Sequence, residues 1–395
     1  MPSTKIIPAR EQNWTRLDGV DLLRGLAIFF VLMNHVNMRL LFAHVPYTRG
    51  LPRQLATSLV WNGQPGVQIF FAISGFLITS TSIRRWSTLD KISIPGFYRI
   101  RFARIAPLLL ALLAMLSCLH FAGLRWAAFD NFVVPAKTGG LGRALVAALT
   151  FHINYLEASR DYLPGNWDIL WSLSVEETFY LFFPLICRIF GKGKLLTALL
   201  LIFVFLGPFA RAKAFNPNPV WREYSYLGGM DAIALGCLTA LLLSRVQLSR
   251  RWRWLLGWAG GAIMLLCLCF TLQPWFWRLE QTGVSMSLLA IGTCMVIAVA
   301  SQTGWRSPRL LAPVLLLGRR SYEVYLSHMF VVFALFAIFV HAGKLMWTVP
   351  ILFLSVIATA GALGELIARF YSEPMNRRLR RTVKTQTTVP ASAWR

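Results

Sequence analysis

The fold of this chain is decided by residues 21–35, DLLRGLAIFFVLMNH, which open its first long apolar run. In a helix, eleven residues turn through about 1100°, so Arg24 and His35 would lie on nearly the same face, about 16 Å apart along the axis. Ionisable groups are costly inside a membrane helix and usually face a cavity or a partner. This spacing fits a site that holds a long polar ligand by one end. It equally fits a snorkelling arginine plus a histidine bonded to a neighbouring helix.

The composition of the whole chain is that of a membrane protein. Of its 395 residues, 56% are hydrophobic and only 14% are charged, and the mean hydropathy is +0.56. A soluble domain of this composition could not cover its surface, and apolar runs repeatedly approach 20 residues. The sequence therefore predicts an all-α polytopic membrane protein with one integral-membrane domain.

The apolar pattern predicts ten transmembrane helices. They cover residues 22–43, 65–83, 102–122, 171–190, 195–210, 226–244, 254–272, 283–301, 322–342 and 347–370. We expect a polar N-terminal segment over 1–20, a membrane domain over 21–374 and a basic tail over 375–395. The N-terminal segment shows no small-residue cleavage signal, so we expect an uncleaved first helix.

The net charge of +24 is explained by topology better than by nucleic-acid binding. Most of the 40 Lys and Arg residues fall in segments on one side of the predicted membrane. The positive-inside rule then places both termini in the cytoplasm. No aromatic-interleaved basic patch stands apart from the apolar runs, so we expect no nucleic-acid partner.

The segment 144–157 is too short for a comfortable transmembrane helix, which needs about 20 apolar residues. Counting it as a span would also move every later loop to the opposite side of the membrane. We expect a re-entrant or interfacial segment, which must be surrounded by protein or by a water-filled cavity. The surrounding stretch, 123–170, is the longest extramembrane region and a plausible platform for a substrate.

A basic loop follows the second span. Its six cations would suit a multiply phosphorylated ligand, because guanidinium groups match phosphate oxygens. The alternative is the positive-inside rule together with attraction to anionic membrane lipid. That alternative is weaker for the arginines that continue into the third helix. The cations are Arg84, Arg85, Lys91, Arg99, Arg101 and Arg104.

The segment 171–180, WSLSVEETFY, places two adjacent carboxylates at the start of a span. Ser172, Glu176 and Tyr180 share one helical face at this spacing. One glutamate could cap the helix N-terminus, where the macrodipole favours an anion. Capping does not easily account for both Glu176 and Glu177, so one of them is expected to polarise a histidine or an acceptor hydroxyl.

Other polar groups within the apolar runs are weaker evidence for a functional site. Tyr322, Tyr325 and His328 line one helical face, although such stripes often serve only to hold helices together. Asp231 is a lone intramembrane acid and needs a cationic or hydrogen-bonding partner. All six cysteines lie in apolar runs without a CxxC pair, so neither a disulfide framework nor a metal site is expected.

Taken in order, these segments resemble the acyltransferase 3 family of bacterial membrane O-acyltransferases. The matching segments are DLLRGLAIFFVLMNH, GVQIFFAISGFLI, FYRIRFARIAP, WSLSVEETFY, MDAIALG, LGRRSYEVYLSH and SEP. Each is modest alone, and their order and spacing make the resemblance specific. The family's Arg-x10-His pattern falls on Arg24 and His35, its Arg-x-Arg on Arg99 and Arg101, and its WSLSVE glutamate on Glu176.

The chain also departs from the family pattern. Met230 stands where many relatives have a basic residue, so a role for that position is in doubt. Many relatives carry an extra span that leads to an extracytoplasmic esterase-like domain, and we expect this chain to lack it.

The resemblance implies transfer of an acyl group, often acetyl, from cytoplasmic acyl-CoA to a hydroxyl of a carbohydrate at or beyond the membrane. Acyl-CoA is then a donor substrate rather than a permanently bound cofactor. The location would be the inner membrane of a bacterium, with separate polysaccharide-biosynthesis proteins as partners. We expect His35 and Glu176 to be catalytic, with His35 as general base or transient acyl carrier. The residues expected to bind the acyl-CoA donor are Arg24, Arg99, Arg101 and Arg104, and the residues expected to bind substrate are Ser174, Tyr180, Asp231, Tyr325 and His328.

Two other functions compete with this one. A secondary transporter would also have ten spans with buried ionisable residues, although no inverted repeat is evident. A non-catalytic glycan-binding relative would make His35 dispensable. The identity of the acceptor and the length of the acyl chain are not encoded in any of these patterns.

Overall fold

The computed structural model describes residues 17–127, 130–191 and 194–381. Most of the predicted N-terminal segment, residues 1–16, and the end of the basic tail, residues 382–395, lie outside the described residues.

The described chain is almost entirely helical. In chain order the α-helices are α1 (Asp18–Phe42), α2 (Arg53–Val60), α3 (Gly63–Trp86), α4 (Ile94–Phe121), α5 (Gly140–Leu149), α6 (Ile153–Ser159), α7 (Gly165–Asp168), α8 (Leu170–Phe190), α9 (Leu195–Arg211), α10 (Pro219–Tyr224), α11 (Tyr226–Leu243), α12 (Arg250–Cys269), α13 (Pro274–Gln281), α14 (Val284–Thr303), α15 (Ala312–Arg319), α16 (Ser321–His341), α17 (Val349–Ile367) and α18 (Glu373–Arg381). A π-helical turn, Ala368–Ser372, joins α17 to α18. Two short strands, β1 (Arg125–Ala127) and β2 (Asp130–Asn131), pair antiparallel.

Nine helical segments of the described chain are long and apolar enough to cross a membrane. They are Asp18–Phe42, Gly63–Trp86, Ile94–Phe121, Gly165–Phe190, Pro219–Leu243, Arg250–Cys269, Val284–Thr303, Ser321–His341 and Met346–Arg380. The remaining predicted span, 195–210, corresponds to α9, whose 17 residues are at the lower limit for crossing a bilayer. The prediction of an all-α polytopic membrane protein is confirmed.

The segment 144–157 does not form a transmembrane helix. It falls on α5 and α6, which are separated by a sharp turn in which Phe151 has a positive φ of 58°. A left-handed backbone at a non-glycine residue interrupts the helix, so neither short piece could span a bilayer.

When α9 is counted, successive spans run in opposite directions, so the bundle has two ends. At one end the Ser307 backbone N–H donates to the Asp18 carboxylate over 3.0 Å. At the other end, Lys344 Nζ donates to the Ala43 carbonyl over 3.5 Å. The end at which α1 begins is named the basic end, because the basic loop 84–104 lies there. The opposite end, which carries α2, α5, α6, α10 and α13, is named the loop end.

Close backbone contact between α3 and α11 sets the centre of the bundle. A Cβ atom added at Gly75 would overlap the backbone carbonyl of Ile233, and one added at Gly236 would overlap that of Ala72. Small residues allow membrane helices to approach this closely, where van der Waals packing drives association. The two glycines therefore fix the position of α3, which forms a wall of the site described below.

Candidate active site

A cavity of about 320 Å³ opens between α1, α3, α4, α8 and α16, towards the basic end. Arg24, Arg101 and Arg104 contribute cationic groups to its wall, and Glu176 and Glu177 contribute carboxylates. The cavity therefore brings together three of the four predicted donor-binding arginines and one predicted catalytic residue.

Arg24 is held on this cavity by α16. Its guanidinium donates to the Ser321 hydroxyl over 2.6 Å, and it lies 4.0 Å from the Asp21 carboxylate. The side chain is only 15% exposed. Arg24 is therefore oriented inward, towards the cavity, by one neutral and one acidic partner.

Arg101 is paired with the two carboxylates of α8. Its guanidinium lies 3.2 Å from Glu177 Oε1 and 3.9 Å from Glu176 Oε1, and 3.6 Å from the centre of the Tyr180 ring. Tyr180 also donates to Glu176 over 2.6 Å, and the Ser74 hydroxyl donates to the same carboxylate. Both glutamates lie inside α8, beyond its first turn, so helix capping explains neither of them. Their cost inside the membrane is offset by Arg101.

Arg99 is exposed at the basic end and does not line the cavity. Residues two apart in a helix point about 200° apart, whereas residues three apart share a face. The cavity therefore receives Arg101 and Arg104, and Arg99 points away from it.

His35 and His328 face each other further along α1 and α16. Their ring centroids are 5.0 Å apart, with the rings tilted by 45°. His328 is fully buried, and its Nδ1 lies 2.6 Å from the Tyr325 carbonyl oxygen. Because a carbonyl can only accept, Nδ1 carries the proton, and Nε2 of the neutral ring is an acceptor. In the part of the chain that the structure describes, this Nε2 has no hydrogen-bond partner.

Tyr325 connects the histidine pair to the cavity. Its hydroxyl donates to the Ile169 carbonyl over 2.9 Å and lies 2.6 Å from the Ser172 hydroxyl. Its ring centroid is 5.7 Å from that of His328, and its side chain lines the cavity wall. Ser172, Glu176 and Tyr180, which were predicted to share one face of α8, all line this cavity.

Polar groups continue on the loop-end side of the histidines. Arg39, about one turn beyond His35, interacts electrostatically with both His35 and Asp168. Next to Asp168, the side-chain nitrogens of Asn166 and Trp167 are buried and find no hydrogen-bond partner among the described residues. The histidine pair therefore lies between the arginine-lined cavity and a second polar region.

Two predicted substrate-binding residues lie away from this site. The Ser174 hydroxyl is buried and donates to the Leu170 carbonyl of its own helix over 3.1 Å. Asp231 is fully buried and forms an ion pair with Arg211, at 2.7 Å between Oδ2 and Nη2. The Ser287 hydroxyl donates to the same carboxylate over 2.5 Å, and Gln68 Nε2 donates over 3.1 Å. Asp231 thus joins α3, α9, α11 and α14.

The sequence argument did not single out Ser74, Ser321 or Arg39. Ser74 and Ser321 lie inside quoted motifs, but a serine in an apolar helix gives no signal of its own. Arg39 follows His35 by four residues, and that helical spacing was the available signal. Within the described residues, no three His, Cys, Asp or Glu side chains come together in a way that could hold a metal ion.

Comparison with known proteins identifies relatives over most of the chain. A family model described as an acyltransferase domain matches residues 17–365. O-acetyltransferase OatA of Staphylococcus aureus is 23% identical over 384 residues, covering 92% of this chain and 57% of the relative. Peptidoglycan O-acetyltransferase OatA of Listeria monocytogenes is 25% identical over 343 residues, covering 78% of this chain and 48% of the relative.

The chain thus spans about half the length of the curated relatives it matches. No solved structure matches the chain significantly. Because the family model extends over most of the chain, from residue 17 to residue 365, the chain belongs to the acyltransferase 3 family.

Proposed function

We propose that this protein transfers an acyl group, by default acetyl, from acyl-CoA to a hydroxyl of a cell-envelope or lipid-linked carbohydrate. Family membership and the O-acetyltransferase relatives support the reaction class. The observation that carries the proposal is the alignment of α1 with α16. Arg24 contacts Ser321 at the arginine-lined cavity, and His35 contacts His328 about two turns further along α16.

The donor would bind from the basic end, which we propose faces the cytoplasm together with both termini. Coenzyme A carries its phosphates at one end and its thioester at the end of a long flexible arm. Arg24, Arg101 and Arg104 line the cavity that would take the phosphates, and Arg99 lies exposed at the same end. The separation of about 16 Å between Arg24 and His35 is comparable to the reach of that arm.

His35 would act as general base. It would remove the proton of the acceptor hydroxyl while the hydroxyl oxygen attacks the thioester carbonyl. The carbon–sulfur bond then breaks, the ester forms, and the histidinium returns its proton to the coenzyme A thiolate. In the acyl-carrier alternative, an imidazole nitrogen of His35 attacks the thioester first, the carbon–sulfur bond breaks, and the coenzyme A thiolate leaves with the proton of the imidazole N–H. The acceptor hydroxyl then attacks the acyl-imidazole, the acyl–nitrogen bond breaks, and the hydroxyl proton passes to the imidazole.

His328 would position His35. Its Nδ1 proton is held by the Tyr325 carbonyl, and its Nε2 is left as a buried acceptor beside the His35 ring. An N–H of His35 that donated to this atom would leave the other His35 nitrogen free to act as the base. Glu176 is engaged by Ser74 and Tyr180, so we propose that it shapes the donor cavity.

The acceptor would approach from the loop end, proposed to be extracytoplasmic. Arg39, Asn166 and Trp167 provide donors on that side of the histidines. This arrangement would let donor and acceptor reach one imidazole pair from opposite sides of the membrane. Polysaccharide-biosynthesis proteins of the inner membrane would supply the acceptor, and surrounding anionic lipid would contact the basic end.

The test is acyl transfer in membranes supplied with radiolabelled acetyl-CoA and envelope glycan. His35→Ala should lower label transfer by about 10²–10⁴-fold, the usual contribution of a histidine base, while leaving the amount of protein in the membrane unchanged. His341→Ala is the matched control, because His341 is exposed at the loop end. Full transfer by His35→Ala would exclude both roles of His35.

The same membranes separate the enzyme from a transporter. Movement of label from acetyl-CoA onto glycan supports the enzyme. Uptake of a solute into sealed vesicles without label transfer would instead support a secondary transporter.

A further inference from the structure

A second and larger cavity, of about 900 Å³, lies at the loop end. It is enclosed by the ends of α1, α3, α9, α12 and α14 together with α2, α10 and α13. None of the motifs that define the family site accounts for it. Its volume falls within the range of small-molecule and cofactor sites, which hold ligands of drug size or larger.

The chemistry of the cavity wall is that of a polar, ring-shaped ligand. The indoles of Trp61 and Trp277 line it, and these side chains are 51% and 59% exposed. An indole offers a broad flat surface for the C–H face of a sugar ring and an N–H for its hydroxyl groups. Trp275, on the same helix as Trp277, is also exposed but does not line the cavity.

Cations on the wall are not fully neutralised. Arg53 and Lys213 are exposed to the cavity, and the described part of the chain gives neither of them an ion-pair partner. Arg222 and Glu280 interact with each other electrostatically. Arg211, at the floor, is already paired with Asp231. The Glu223 carboxylate also lines the wall, so two cations and one carboxylate are left to face a ligand. The excess of positive charge favours a ligand that carries carboxylates.

The cavity also approaches the proposed site of transfer. Gln64 and Pro65 of α3 line it, while Val67 and Phe70 of the same helix line the smaller cavity. On α1, Asn37 lines the larger cavity two residues beyond His35, and the two side chains point to different faces of the helix. The two cavities are thus separated by about one turn of α3, so a chain bound in the larger one would end close to the smaller one.

We propose that this cavity binds the acceptor, and that the acceptor is an acidic carbohydrate whose sugar ring packs on Trp277 or Trp61 and whose carboxylate binds Lys213 and Arg53. This inference rests on the proposed acyl transfer for the identity of the ligand as acceptor. The binding itself can be measured without any transfer.

The experiment is equilibrium dialysis of the purified full-length protein in detergent. The probes are trigalacturonate, which carries carboxylates, and the neutral N-acetylchitotriose. Trigalacturonate should bind more tightly. The double variant Arg53→Gln, Lys213→Gln should lose about tenfold or more of that affinity and leave the affinity for the neutral probe unchanged. Trp277→Ala should weaken the binding of both probes.

Two matched controls come from the same helix. Arg278→Gln and Trp275→Ala alter exposed side chains of α13 that do not line the cavity, and both should bind the probes like the parent protein. Equal effects of Trp275→Ala and Trp277→Ala would mean that the indoles only anchor the protein at the lipid interface, which overturns the proposal.

The remaining outcomes separate this inference from the proposed function. Equal affinity for the two probes, no effect of the double variant, or no binding of trigalacturonate would overturn the assignment of an acidic glycan site, even if acyl transfer is observed. Selective binding that depends on Arg53 and Lys213, without acyl transfer by any variant, would support the site and refute the enzyme.

Discussion

The imidazole rings of His35 and His328 lie 5.0 Å apart at the contact between α1 and α16. The Nδ1 proton of His328 is held by a backbone carbonyl, and its Nε2 has no hydrogen-bond partner among the described residues. The His35 ring is half-buried and lies next to the cationic Arg39. In the proposed mechanism, His35 is the base and His328 is the group that orients it.

Replacement of His328 should distinguish positioning from simple packing. Gln can place an oxygen near the position of Nε2, whereas Asn can only replace the Nδ1 donor to Tyr325. We expect His328→Asn to lower kcat by about 10–100-fold with little change in the KM for acetyl-CoA, and His328→Gln to retain more activity. The pH dependence of kcat, measured for both variants, should change shape for Asn more than for Gln. Equal loss in both variants, with unchanged pH profiles, would assign His328 a packing role.

Replacement of Arg101 should affect stability and acetyl-CoA binding much more than replacement of Arg99, although the two residues are close in sequence. Arg101→Gln leaves Glu176 and Glu177 without their cation, so we expect a loss of about 3–5 kcal/mol in the free energy of unfolding together with weaker acetyl-CoA binding. Arg99→Gln, at an exposed position, should change stability by about 0.5 kcal/mol or less.

Thermal unfolding in detergent and binding of acetyl-CoA would check both arginine variants. The double variant Arg101→Gln, Glu177→Gln should recover part of the lost stability, because one unpaired carboxylate is removed. Similar stability of the Arg99 and Arg101 single variants would contradict the ion-pair cluster seen here.

Gly75→Ala should disrupt the contact between α3 and α11. The added methyl group would overlap the Ile233 carbonyl, so the two helices must move apart, and we expect a loss of about 1–3 kcal/mol in stability. Gly261→Ala is the control, because the added Cβ would meet no atom from beyond its own stretch of helix within 4 Å. That variant should be neutral or slightly stabilising, since alanine favours the helix over glycine. Melting temperatures of both variants in the same detergent provide the measurement.

Glu157 should make the stability of the protein depend on pH. Burial raises the pKa of this carboxyl group well above its usual range, and the neighbouring Asp168 raises it further. An acid whose pKa is raised in the folded state contributes stability that is complete below the unfolded pKa of about 4.5 and is lost as the pH rises through the folded pKa. The melting temperature should therefore fall as the pH increases from about 4.5 towards that value.

Glu157→Gln should flatten this pH dependence and raise the melting temperature at neutral pH. The amide oxygen can still accept from the Leu163 backbone N–H, which donates to Glu157 over 3.0 Å. Asp161→Asn is a useful contrast, because the hydrogen bond from Lys137 lowers the pKa of Asp161. Its contribution to stability should instead be lost as the pH falls. A melting temperature of Glu157→Gln that tracks the parent at every pH would refute the role of this carboxyl group.

Much of the fold could be predicted because it depends on local properties of the chain. The length of each apolar run determines which segments can cross a membrane, and the helical period determines that Arg24 and His35 share a face. Both predictions are confirmed: the spans coincide with helices, and both side chains face α16.

Residues that were grouped because they are close in sequence were not always grouped in space. The helical period turns Arg99 away from the cavity and Arg101 towards it, and it leaves Ser174 bonded to its own helix. The period itself was available from the sequence. The sequence did not show which face of each helix packs against other helices, because that depends on the neighbouring helices in the fold.

By itself, the sequence determined the class of fold, the spans, the shared face of Arg24 and His35 and the family resemblance. Only the tertiary structure decided the partners: Arg24 with Ser321, 297 positions away, Gln68 with Asp231, 163 positions away, and His35 with His328. It alone revealed the larger cavity at the loop end. The physical reason is that hydrophobicity and helical periodicity act over a few turns of one helix, whereas these partners and cavities arise where helices distant in sequence pack together.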